Sequence, residues 1–129
     1  MVIVGLVFAG LAAIVHVYIF WLESIVWTGA RARRTFGVRT DEEARLTRAL
    51  AFNQGFYNLF LAIAVTLGIV LVVLGWTTAG ATLVFIGAGS MVAAGLVLLI
   101  SSPSKARAAL VQLVLPLVGV VALALGLAL

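Results

Sequence analysis

The chain has 129 residues, 65% of them hydrophobic and 9% charged, whereas a soluble domain carries about 25% charged residues. So large an apolar excess cannot be covered by polar surface in water and must face lipid. The formal net charge is +4 and there is no cysteine, which excludes disulfides, thiolate metal sites and thiol nucleophiles; the basic residues are confined to two short segments, a pattern of membrane topology and not of nucleic-acid binding.

The first apolar stretch, residues 2–22, follows Met1 without a basic leader and is longer than the apolar core of a secretory signal, so a retained helix over 2–28 is expected. Only His16 and Tyr18 interrupt it. A basic loop over 29–40 follows, broken at Gly37, and Thr40 then stands three residues before Glu43 in the pattern of a capping box. A helix should therefore start at Asp41, with Asp41, Glu42 and Glu43 in its first turn where they favour the helix dipole. It should run through Arg45 and Arg48 to residue 75, its apolar part over 55–75 holding Asn58 and Thr66. Two further helices are expected over 78–101 and 105–128, the last carrying Gln112 and the kink-forming Pro116. Each apolar stretch reaches the roughly 20 residues that a helix needs to cross about 30 Å of hydrocarbon.

Arg31, Arg33, Arg34, Arg39, Arg45 and Arg48 lie between the first and second stretches, and Lys105 and Arg107 between the third and fourth. The turn at 76–78 and both chain ends lack charged side chains, so the positive-inside rule places N-terminus and C-terminus on the non-cytoplasmic side. The expected fold is all-α, a single integral membrane four-helix bundle over 1–129. Apolar runs without a period of two disfavour a strand barrel, and no internal repeat is visible that would support an inverted-repeat transporter.

Polar groups inside the stretches are costly in lipid and mark candidate sites. His16 and Glu23 are seven residues apart, within about 20° of one helical face at 100° per residue, and Trp27 continues that stripe. Asn53 with Tyr57, and Gln54 with Asn58, share adjacent faces of the next helix. Counted from the basic loops, these groups and Gln112 fall in the cytoplasmic half of the bundle, which implies a pocket open to the cytoplasm. The plain alternative for the amides is interhelical hydrogen bonding, and for Glu23 hydration or pairing with a loop arginine. A metal site of His16 and Glu23 would have two ligands where structural zinc takes four, so no metal and no cofactor is expected. Trp21, Trp27 and Trp76 fit an interfacial belt, and the arginine run fits contact with anionic lipid.

The run HVYIFWLESIVW at 16–27, then Phe36 and Gly37, then AFNQGFYNLFL at 51–61, resembles a bacterial integral membrane family, domain of unknown function 1304. The resemblance implies a short multi-pass inner (plasma) membrane protein without an assigned activity.

Three functions remain open. His16 and Glu23 can bind or relay a proton or cation while the amides orient a small ligand, in which case so narrow a bundle would be expected to form a homodimer or larger homo-oligomer. An enzyme that modifies or isomerises a lipid, with Glu23 or His16 as acid or base, is the second; no metal cluster, serine elbow, phosphate loop or cofactor fingerprint accompanies it. The third is an accessory subunit that packs on a larger membrane partner.

Overall fold

A helix that enters lipid has to satisfy every backbone group within itself, and long unbroken helices are the result. The computed structural model describes all 129 residues. In chain order it contains α1 (Val2–Phe20), a π-helical turn (Trp21–Ile25), α2 (Ala30–Phe36), α3 (Asp41–Val73), α4 (Thr77–Ser101), a 3-10 turn (Pro103–Lys105) and α5 (Ala106–Ala128). Four of the helical segments, Val2–Ile25, Asp41–Val73, Thr77–Ser101 and Pro103–Ala128, are long and apolar enough to cross a membrane. The protein is an all-α, four-helix membrane bundle.

The basic segment between α1 and α3 is more ordered than a loop. Its middle forms α2, ended by Gly37 at φ 71°, the left-handed conformation that glycine adopts without steric cost. Arg33 closes the connection to α3 by pairing with Asp41 and donating to the Arg39 carbonyl at 3.2 Å. Thr40 caps α3 by accepting from the Glu43 amide at 3.0 Å, and the Glu43 carboxylate accepts in return from the Arg39 amide at 2.9 Å, one residue before the cap. With 33 residues α3 is about 50 Å long, well beyond the roughly 30 Å hydrocarbon core. Its charged first turns therefore stand clear of the apolar layer.

Each long helix is antiparallel to the next, and α5 closes the ring by packing on α1, while the diagonal pair α1 and α4 barely touch. All charged side chains except Glu23 gather at one end, here the basic end, which holds α2, the start of α3 and the α4–α5 connection. The other end carries Met1, Leu129 and the three-residue turn at 74–76, where Gly75 has φ 90°.

Only 26 of the 129 residues are buried, and the central cluster is built largely of alanine, with Val65, Val84, Met91 and Leu123. Large side chains such as Ile3, Val73 and Ile100 are outside, each more than 70% exposed. That is the reverse of a water-soluble core and suits a surface covered by acyl chains. Lipid tails are as apolar as leucine, so helices gain little by hiding leucine from them; close backbone packing supplies the attraction instead. Small residues permit it: a Cβ placed on Gly68 would lie 2.7 Å from the Gly80 carbonyl oxygen, and one on Gly80 2.6 Å from that of Gly68.

Gly89 offers a control within α4, since a Cβ there meets nothing within 4 Å. We expect Gly80→Leu to lower unfolding stability by about 1–3 kcal/mol through overpacking, and Gly89→Ala to leave it unchanged or raise it by up to about 1 kcal/mol through helix propensity. Thermal denaturation in one mild detergent checks both, and equal effects at the two positions would contradict this packing.

Candidate functional site

Past Phe20 the first helix does not continue as an α-helix. The amide of Val26 reaches back five residues to the Trp21 carbonyl at 3.1 Å, so one extra residue is held in a single wide turn. Such turns recur at functional sites because the widened loop re-aims the side chains it carries. Here it carries Glu23 and Ser24, and it lies against Gly55 of α3, where a Cβ would be 3.1 Å from both the Glu23 Cβ and the Phe20 carbonyl oxygen.

That close approach allows two polar bonds to cross from α1 to α3. The Asn58 amide donates to Glu23 Oε2 at 2.9 Å and back to the Gln54 carbonyl at 3.0 Å, using both of its hydrogens. The Ser24 hydroxyl donates to the Phe52 carbonyl at 2.9 Å. Toward the basic end the Trp27 indole donates to the Ala44 carbonyl at 3.1 Å and to Thr47 Oγ1 at 3.2 Å, and its ring packs on Phe36. Trp27 is thus a clamp from the end of α1 onto α3 and α2. Its polar atom is engaged by the protein, a closer tie than the interfacial position expected of it.

His16 is buried, 2% exposed, at the end of the small-residue stripe Gly5, Ala9, Ala12 and Ala13. Its Nδ1 lies 2.9 Å from the Ala12 carbonyl oxygen. A carbonyl can only accept, so Nδ1 bears the hydrogen and Nε2 presents a lone pair in the neutral ring. The α1–α5 seam fixes what stands level with it. A Cβ on Gly119 would touch Ala9, and one on Gly5 would touch Leu123, an antiparallel register. Seven residues on from Ala9 is His16, and seven back from Gly119 is Gln112. Pro116, buried inside α5, has no N–H to give to the carbonyl four residues earlier, which is that of Gln112. The Gln112 carbonyl, near the level of His16, therefore lacks its usual helical donor.

The seven sequence-expected residues do not all converge. Glu23 and Asn58 bond to each other, and His16 and Gln112 share a level. His16 and Glu23 are about 10 Å apart along the helix axis, and no hydrogen bond joins them. Asn53, Gln54 and Tyr57 are exposed on the outside of α3. A sequence signal distinguishes them: Ala51, Gly55, Asn58, Ala62 and Val65 form one stripe at helical spacing, and small residues mark the face that packs. Asn58 lies on that stripe, Gln54 at its edge, and Asn53 and Tyr57 on the far side of the helix. The π-helical turn leaves no mark in the apolar pattern.

Two surface hollows, one lined by Gly75 to Ala79 and one by Arg45, Arg48, Ala49, Phe52 and Asn53, include neither His16 nor Glu23. No group of three or more His, Asp or Glu side chains gathers in a metal-binding arrangement.

Residues 10–124 match a family described as protein of unknown function (DUF1304). Comparison with curated proteins and with solved structures finds no match. The chain belongs to the DUF1304 family.

The cross-helix bond has a measurable energy. In a double-mutant cycle of Glu23→Ala and Asn58→Ala we expect a coupling of about 0.6–2 kcal/mol, the range of interhelical hydrogen bonds in bilayers. Additive effects of the two substitutions would show that the contact contributes nothing.

Proposed function

We propose that this DUF1304 protein binds a proton or a small cation rich in hydrogen-bond donors, such as an ammonium group, within the basic half of its bundle. The observation that carries the reading is an imbalance of acceptors. Asn58 has spent both amide hydrogens on Glu23 and Gln54, His16 keeps a lone pair on Nε2, and Pro116 leaves the Gln112 carbonyl without its helical partner. A ring nitrogen, an amide oxygen and a backbone carbonyl that can each accept a further hydrogen bond favour a ligand that brings hydrogens or positive charge. Because His16 and Glu23 are about 10 Å apart along the axis, a proton passing between them needs an intermediate carrier, and water or the ligand itself is a suitable one.

The distribution of basic residues supports an inner-membrane orientation with both termini outside and the basic end in the cytoplasm. The polar residues then open toward the cytoplasmic leaflet. Four helices enclose little space, so a continuous pathway calls for a homodimer, whose seam would extend the lining.

Orientation is tested first, in the cysteine-free background of the chain. A single cysteine at Arg34 should resist a membrane-impermeant maleimide in intact cells and one at Thr77 should react; the opposite result reverses the topology. The site is tested in proteoliposomes holding a pH-sensitive dye under an imposed potential, with methylammonium-dependent thermal shift measured in parallel. We expect Glu23→Gln to reduce flux or binding at least about tenfold, because hydrogen bonds to a charged group contribute about 1.5–3 kcal/mol. Wild type and Glu23→Gln behaving alike in both assays would dismiss the proposal.

A further inference from the structure

Asn53 and Tyr57 are polar, yet both face outward from α3. Outward polar groups on a membrane helix find their partners beyond the chain, and the same side of α3 shows what kind. Arg45, Arg48, Ala49, Phe52 and Asn53 line a shallow hollow of about 450 Å³. Both arginines are exposed, and neither has an acidic partner, since the ion pair of the chain joins Arg33 and Asp41. Their planar donors match the oxygens of a phosphate.

Directly below the hollow the rings of Phe52, Phe56 and Phe60 follow one another along the helix, with centroid separations of 4.9 Å and 6.1 Å. Phe52 is 47% exposed and Phe60 57% exposed. From Phe52 to Phe60 the helix rises about 12 Å, most of the depth of one leaflet of a hydrocarbon core about 30 Å thick. A basic mouth thus opens onto an aromatic track that runs into the apolar layer, in the order in which a phospholipid carries its head and tail.

We propose that this face of α3 binds one anionic phospholipid of the leaflet at the basic end. Arg45 and Arg48 hold the phosphate, the Asn53 amide donates to the headgroup, and an acyl chain lies along Phe52, Phe56 and Phe60. The aromatic track selects a lipid over free phosphate, which has nothing to place there. The inference is independent of any ligand at His16 and Glu23.

Native mass spectrometry of the purified protein in mild detergent tests it, with equimolar phosphatidylglycerol and phosphatidylcholine as probes. Wild type should retain phosphatidylglycerol preferentially. The double variant Arg45→Gln/Arg48→Gln should lose affinity for it at least about tenfold, through loss of the charge-assisted hydrogen bonds to the phosphate. The variant Arg31→Gln/Arg34→Gln removes equal charge from exposed positions on α2 and should bind as wild type, and excess inorganic phosphate should not displace the lipid. Equal retention of the two lipids, equal loss in the two double variants, or displacement by inorganic phosphate would each overturn the proposal.

Discussion

Lipid offers two helices almost no reason to associate by hiding apolar surface, so the bundle depends on how closely its backbones approach. Glycine and alanine at the seams set that distance. At Gly55 the approach is also chemical: with no side chain between them, the π-helical turn and α3 come near enough for Asn58 to reach Glu23 and for Ser24 to reach the Phe52 carbonyl. A larger residue at that one position would move Glu23 away from its donor. Packing and polar chemistry at the basic end are therefore one constraint.

The same constraint explains why a carboxyl group is tolerable there. An isolated carboxylate near the apolar layer is costly, but Glu23 has an amide donor across the seam, and the Trp27 clamp fastens the segment that follows it to α3. His16 is supported differently, by a carbonyl of its own helix. One residue is tied into an interhelical contact and the other is not, so the two respond to separate perturbations. A ligand that bridges them would join the α1–α3 seam to the α1–α5 seam.

Much of the architecture was legible in the amino-acid sequence, because continuous apolar runs, clustered arginines and a capping box report directly on local physics. Thr40 and Glu43 do cap α3. Helical periodicity tells which residues share a face, however, and not which face turns inward, so it groups Asn53, Gln54 and Tyr57 with Asn58. Their neighbours Ala51, Gly55 and Ala62 carried the missing information, since small residues mark the packed side. Steps of 100° per residue also assume an unbroken α-helix. The π-helical turn at Trp21–Ile25 breaks that assumption, and the helix ends there, with Val26 at φ −120°, so Trp27 leaves the face of His16 and reaches α3. The basic segment, read as a loop, contains α2 because Gly37 ends a helix as readily as it interrupts a chain.

Solid-state NMR of the protein in lipid bilayers, with carbon-13 in glutamate and nitrogen-15 in asparagine side chains, measures the decisive contact. The other two glutamates, Glu42 and Glu43, stand at least ten residues from Asn53 and Asn58 along α3, about 15 Å or more, too far for transfer. We expect one carboxyl-to-amide cross-peak, absent from the Asn58→Leu variant. A bilayer spectrum of the wild type without that cross-peak would contradict the close packing of α1 on α3 from which the site is built.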